Sequence, residues 1–310
     1  MELQLKNIGM IKEANVKIDG LTVIAGENDT GKSTLGKALY AIIKEHHNVF
    51  RKEGGGFYIN VYREIFKEDF DDNSDRDITL QLDKGGSISF GSINGISEEV
   101  KNIIFIESPL VWNFTDFFRD ITQIESQFKI ELDYPYLMKD LNFKLHIKSA
   151  SNGLDIKKKV TSLMGGEFKK DEMGRYYFDK QGQRIELVNT ATGIKYFGIF
   201  QVLSQNNYLN ENTVLVLDEP EVHLHPKWQL EMAKMIVELV KNGVKILVNS
   251  HSPYMIQALI KYARDKEIVD KTNFYLSEKN DNYANINNVN DELNKIFELL
   301  AEPMNEVFEL

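Results

Sequence analysis

Polar and apolar residues alternate near the start of the chain and then give way to a continuous apolar run. Leu3 and Leu5 are flanked by polar residues, as are Val16 and Ile18, and Leu21-Thr22-Val23-Ile24-Ala25 forms a short hydrophobic run. Alternation marks half-buried strands and the run a fully buried one, so three strands are expected, punctuated by Gly20 and Gly26. From Lys32 the period changes. Leu35, Leu39, Ile42 and Ile43 fall at helical spacing, which predicts a helix fading by His46 and His47, ahead of Gly54-Gly55-Gly56.

Residues 45 to 185 are less regular. They hold an aromatic stretch (Phe57, Tyr58, Tyr62, Phe66, Phe70) and an acidic one (Glu68, Asp69, Asp71, Asp72, Asp75, Asp77). Hairpins are expected to turn at Asp83-Lys84-Gly85-Gly86 and Asp179-Lys180-Gln181-Gly182, with a buried strand over 103–106. After residue 190 helices and strands alternate. Helices are predicted over 193–203, 226–240 and 253–262, and strands over 214–217, 244–248 and 273–276. A last helix over 291–301 carries Leu293, Ile296, Phe297 and Leu300 on one face, a stripe that suits docking on a sheet. There is no internal repeat and no sustained heptad pattern.

Composition sets outer bounds. The 310 residues are 42% hydrophobic and 27% charged, ordinary for a globular chain able to bury a full core. The absence of cysteine excludes disulfides and cysteine-ligated zinc. No apolar run approaches the ~18 residues of a membrane span, and Met1 opens directly onto a strand pattern. A cytoplasmic protein without a leader or membrane partner is therefore expected. The net charge of −10 gives no bulk argument for nucleic acid. Residues 139–175 nevertheless hold nine Lys/Arg against five acids, so this segment is +4 and the remainder −14. A solvated face is the simpler reading, a phosphate-facing surface the alternative.

Four stretches carry chemistry. Gly26-Glu27-Asn28-Asp29-Thr30-Gly31-Lys32-Ser33-Thr34 fits G-x-x-x-x-G-K-[ST] between a strand and a helix. Its glycines let backbone N–H groups converge on phosphates at a helix N-terminus, Lys32 would reach the β- and γ-phosphates, and Ser33 would offer its hydroxyl to Mg²⁺. Val214-Leu215-Val216-Leu217-Asp218-Glu219-Pro220 is a buried strand ending in two acids, with Asp218 suited to hold Mg²⁺ and Glu219 to polarise an attacking water. Glu221-Val222-His223-Leu224-His225-Pro226 follows. Strand-like geometry would aim His223 and His225 together as metal ligands; an ordered loop with Pro226 opening a helix is the competing reading. Ser250-His251-Ser252-Pro253 places His251 at another strand end, beside the same crevice.

Together these residues resemble the ABC-type ATPase heads of the SMC, RecF and OLD families, and most closely the short OLD-like ATPases of bacterial anti-phage defence. In that resemblance residues 26–34 are Walker A and residues 215–219 Walker B. Asp218 to Pro226 is the OLD-type extension, and Ser250-His251-Ser252-Pro253 the switch-histidine motif. Asn189-Thr190-Ala191-Thr192-Gly193-Ile194-Lys195 resembles the degenerate signature, so Thr192, Gly193 and Lys195 would meet the γ-phosphate held by a second protomer. An ordinary helix start with Thr192 as N-cap is its plainer reading. No clear Q-loop glutamine is present, Glu107 standing about where one belongs, and neither a coiled-coil arm nor a Toprim nuclease domain is expected.

The resemblance implies an α/β P-loop fold of ABC-ATPase type. Its sheet would be mainly parallel and flanked by helices, with an N-terminal antiparallel β part and an inserted α+β lobe. Residues 1–45 and 186–310 would form the head and 46–185 the lobe. It implies Mg²⁺-dependent ATP hydrolysis with Glu219, Lys32 and His251 as catalytic residues, in a head-to-tail homodimer that controls a separately encoded effector or nuclease. A RecF-like clamp on DNA is the alternative, and a transporter ATPase, whose LSGGQ signature is missing, a more distant one.

Overall fold

The computed structural model describes residues 1–51, 61–67, 75–89, 92–94, 100–128, 132, 134–280 and 282–308. Gly54 to Gly56, Phe57, Tyr58, Phe70 and the acids 68–72 lie outside the described residues.

Strands β1 (Glu2–Ile8), β2 (Ile11–Lys17) and β3 (Leu21–Ala25) form as the alternation requires, with Leu3, Leu5, Val16 and all of β3 buried. Helix α1 (Lys32–Arg51) runs past its expected end at 46–47. It is followed by α2 (Val61–Phe66) and by β4 (Asp77–Gln81), β5 (Ser87–Ser89), β6 (Ser92–Asn94) and β7 (Asn102–Ile106). The β4–β5 hairpin turns where the Asp-Lys-Gly-Gly sequence predicted. Four helices and three strands then intervene: α3 (Thr115–Phe128), α4 (Tyr136–His146), α5 (Lys157–Met164), β8 (Glu167–Lys170), β9 (Tyr176–Lys180), β10 (Gln183–Glu186) and α6 (Thr192–Gln205). The closing elements are β11 (Thr213–Asp218), α7 (Pro226–Lys241), β12 (Lys245–Ser250), α8 (Pro253–Asp265), β13 (Thr272–Asn280), β14 (Tyr283–Asn288) and α9 (Asn294–Phe308).

An eleven-stranded sheet has the order β6-β5-β4-β1-β2-β14-β13-β3-β12-β11-β7. The run β13-β3-β12-β11 is parallel, and every residue of β3 and β11 is buried, as strands covered on both faces must be. The N-terminal strands continue the sheet as antiparallel pairs β2-β1-β4-β5-β6. Hairpin β13–β14 joins the two parts, β14 lying parallel to β2. Helix α1 presses close on the parallel strands: a Cβ on Gly36 would stand 2.9 Å from Val216 Cγ1 and 3.1 Å from Asn249 Nδ2. The last helix begins at Asn294, three residues later than expected, and buries Ile296 from the predicted stripe.

By compactness the chain forms two units, Met1–Phe105 with Glu211–Leu310, and Ile106–Asn210. The second unit holds the antiparallel sheet β10-β9-β8 and the buried rings of Trp112, Phe168 and Phe178. It begins at Ile106 and not at 46 because β4 to β7 join the eleven-stranded sheet, and ends at Asn210 and not at 185 because α6 packs with α5 and β8.

Candidate nucleotide site

The loop from β3 to α1 owes its curl to backbone that only glycine adopts freely. Gly26 sits at φ +153° and Gly31 at φ +86°, and a Cβ on either would collide, at 2.4 Å with the Ser277 carbonyl oxygen and at 2.8 Å with Ile11 Cγ1. Asp29 takes the left-handed conformation at φ +59°. Thr30 Oγ1 donates to the Glu27 carbonyl at 2.8 Å, and Ser277 Oγ on β13 donates to the Thr30 carbonyl at 2.6 Å, fixing the loop from both sides. Lys279, also on β13, reaches Asp29 Oδ2 at 2.8 Å.

Lys32 is buried at the first turn of α1, its ammonium donating to the Glu27 carbonyl. Burial pulls its pKa down, and the carboxylates of Glu219, Asp218 and Glu221 oppose the shift. Glu27, Asn28 and Asp29 are exposed along the loop, and Ser33 and Thr34 are half-buried.

Asp218 ends β11 at 7% exposure, where Ser33 Oγ (3.1 Å) and Asn249 Nδ2 (2.7 Å) both donate to its Oδ1. Burial pushes this carboxyl above its ordinary pKa while the two donors pull it back. Asn249 belongs to none of the four motifs, although the sequence places it at the end of a neighbouring strand. A desolvated carboxylate 3.1 Å from a hydroxyl suits Mg²⁺, a hard cation that takes few protein ligands and completes its shell with water and phosphate.

Glu219 follows at φ +48°, a conformation costing a side-chain-bearing residue about 1 kcal/mol. Its N–H donates to the Asn249 carbonyl at 2.9 Å, which fixes the turn. Glu219 Oε1 lies 3.1 Å from Nδ1 of His251, so β11 and β12 deliver an acid and an imidazole to one spot, both partly exposed. Glu221 is buried beside them.

The histidines of the extension lie on turns and not in the strand-like geometry that would aim them together. Val222 N–H to the Glu219 carbonyl and Leu224 N–H to the Glu221 carbonyl make consecutive turns, with His223 left-handed at φ +67°. His225 Nδ1 instead accepts from Lys227 N–H at 3.3 Å and caps α7, which Pro226 opens. Among the described residues no group of three or more His, Asp or Glu is arranged to hold a metal ion.

In the second unit, Thr192 is the first residue of α6 and Ala191, not Thr192, its cap. Thr192 is exposed and Gly193 half-buried. Lys195 turns inward, its ammonium 3.1 Å from Asn113 Oδ1 and its carbonyl accepting from the Trp112 indole at 2.9 Å; burial lowers its pKa. Glu107 is exposed, and Ser108 caps the short 3₁₀ helix Pro109–Phe114 that carries Trp112 and Asn113.

Over 95% of this chain and 98% of the other, the structure superposes on an Smc head bound to the C-terminal winged-helix domain of ScpA, at 14% identity and a TM-score of 0.50. The fold is that of an SMC head. Residues 111–256 match the family described as AAA ATPase domain. The Old nuclease of Escherichia phage P2 is 24% identical over 254 residues, 78% of this chain and 42% of the nuclease. The Septu protein PtuA of Bacillus thuringiensis is 38% identical over 45 residues, 14% of this chain and 11% of PtuA. The chain thus spans less than half the length of the curated relatives it matches. Among the described residues no helix is long and apolar enough to cross a membrane.

Proposed function

We propose that this SMC-like head binds ATP with Mg²⁺ and hydrolyses it in a head-to-tail homodimer. The observation that carries the reading is the convergence of Lys32, Ser33, Asp218, Glu219 and His251 at the ends of β3, β11 and β12. Backbone N–H groups of residues 26–34 would wrap the phosphates, and Lys32 would leave the Glu27 carbonyl for the β- and γ-phosphates. Ser33 and Asp218 are the residues that would hold Mg²⁺, which supplies charge neutralisation on the phosphates. Glu219 would orient and polarise a water in line with the γ-phosphate, and His251 would hold Glu219 and sense that phosphate. Thr192, Gly193 and Lys195 would complete the partner's site, with the Lys195 ammonium released from Asn113 on closure.

In this reading ATP favours the closed dimer and hydrolysis opens it, a switch that needs a reader. The likeness to an Old nuclease and to a Septu protein supports a role in phage defence, with a separately encoded effector or nuclease as reader. DNA as a direct ligand is less well supported. Of the nine cations in 139–175, Lys139, Lys144, Lys157, Lys169 and Arg175 are ion-paired to acids of the same unit.

The test is Mg²⁺-dependent ATP hydrolysis by the purified protein, with and without linear duplex DNA, and with Glu219→Gln as the blank. Turnover in the wild type, loss of nucleotide binding in Lys32→Ala and a nucleotide-trapped dimer in Glu219→Gln are expected. A Glu219→Gln protein that hydrolyses at the wild-type rate would remove Glu219 from the mechanism.

A further inference from the structure

Glu221 has no role in the chemistry above, yet it is the most committed acid near it. It is 4% exposed, burial pushes its pKa up, and of its two carboxyl oxygens Oε1 takes the hydrogen bonds while the buried Oε2 has no partner among the described residues. Its Oε1 accepts three hydrogen bonds from the end of β12 and the loop that follows it: Ser250 Oγ at 2.7 Å, His251 N–H at 3.0 Å and Ser252 N–H at 3.1 Å. A second tie runs alongside. Ser252 Oγ donates to Gln229 Oε1 at 3.0 Å, and Gln229 Nε2 donates to the Leu224 carbonyl at 3.1 Å. The loops beyond β11 and β12 are thereby joined by side chains after the strand ladder between them has ended at Asp218 and Asn249.

The geometry separates Glu221 from a proton-transfer role. His251 Nδ1 is 3.8 Å from Glu221 Oε1 but 3.1 Å from Glu219 Oε1, and the donors crowding Glu221 come from the backbone and a serine. What those donors share is the segment that carries His251.

We propose that Glu221 is a positioning residue: its carboxylate pins the His251 loop to the Glu219 loop and presets the Glu219–His251 contact before nucleotide arrives. The proposal rests on the ATPase reading and names a further residue in that site. Freed of the pin, His251 would sample orientations in which it no longer meets Glu219. Displacements of about 1 Å in a catalytic constellation cost on the order of 10²-fold in rate. Nucleotide binding through the Walker A loop would be untouched.

The test compares wild type, Glu221→Ala and Glu221→Gln for backbone exchange at His251 and Ser252 without nucleotide, and for kcat and KM with Mg-ATP. Glutamine keeps an acceptor oxygen; alanine keeps none. In Glu221→Ala, exchange at both amides should rise by roughly tenfold or more. Its kcat should fall by about 10²-fold with KM within about threefold, and Glu221→Gln should restore most of both. Ser250→Ala removes one donor to the carboxylate and also the oxygen that accepts from Ser252 N–H at 3.1 Å, so it is read at the His251 amide, where it should show a smaller rise in exchange, and serves if Glu221→Ala does not fold. A Glu221→Ala enzyme with wild-type kcat despite faster exchange overturns the positioning role, and unchanged exchange overturns the pin itself. If the wild type turns over no ATP, the ATPase reading and the catalytic purpose of the pin fall together, while the exchange data still decide whether the pin exists.

Discussion

Asp218 shows at a single residue how the site sets function against stability. Its carboxyl is raised mainly by burial, and Glu219 beside it adds repulsion. A carboxyl whose folded pKa exceeds its unfolded one stabilises the fold below the unfolded pKa and loses that contribution as pH rises through the folded value. As pH rises above the ordinary aspartate range the buried Asp218 carboxyl therefore costs the nucleotide-free protein stability. Asp218→Asn keeps an oxygen for Ser33 and Asn249 and removes the charge, so it should melt higher than wild type at pH 7.5 while losing Mg²⁺-dependent turnover. The difference should close as the pH falls toward the ordinary aspartate range, because the wild type is neutralised there too. Thermal melts at three pH values measure it; a lower melting point at pH 7.5 would mean that hydrogen bonding to the charged form outweighs desolvation. Residues like this were legible in the sequence because their chemistry is local. A Gly-x-x-x-x-Gly-Lys loop and an apolar run ending in Asp-Glu each specify their own backbone. Asn249 and Glu221 were harder, since their partners lie on a neighbouring strand end 31 and 29–31 residues away.

Among the elements, those that form from their own pattern were readable, and those made by their neighbours were not. Strand β14 carries little strand pattern of its own, with Asn282, Asn285, Asn287 and Asn288 in and around it, yet pairing with β13 on one side and β2 on the other makes it a strand. Helix α3 had a visible signal, Phe117, Phe118, Ile121 and Ile124 at helical spacing, which was lost in the irregular composition around it. The packing of α6 on β8 depends on one missing methyl. A Cβ on Gly198 would stand 2.3 Å from Phe168 Cε2, and the Phe168 ring is wedged between Trp112 at 5.0 Å and Phe178 at 5.6 Å. Alanine would gain about 1 kcal/mol of helix propensity, but overpacking against a ring that cannot move costs roughly 1–3 kcal/mol. Gly198→Ala should therefore lower stability on denaturant melting, and Phe168→Leu in the same chain should recover part of the loss. An increase in stability from the single substitution would show that the ring can yield.

At the level of the whole molecule, the decisive question is whether a complete site needs two chains. If the turn before α6 serves the partner's nucleotide, each site draws Lys32 from one chain and Gly193 from the other, and two differently damaged chains should repair each other. Lys32→Ala lacks its own nucleotide but keeps an intact turn. Gly193→Glu keeps the nucleotide loop and places a carboxylate where a γ-phosphate would approach the helix N-terminus, so like charges repel. Either protein alone should be inactive. In a mixed dimer one site combines both lesions and the other has neither. With random pairing at equal concentrations, about a quarter of all sites are then intact, and the mixture should recover about a quarter of the wild-type rate. Recovery should also rise with total protein concentration, as association requires. A mixture no more active than its parts would confine the site to one chain and remove Thr192, Gly193 and Lys195 from it, whereas a Gly193→Glu protein active by itself would show that the turn does not face nucleotide at all.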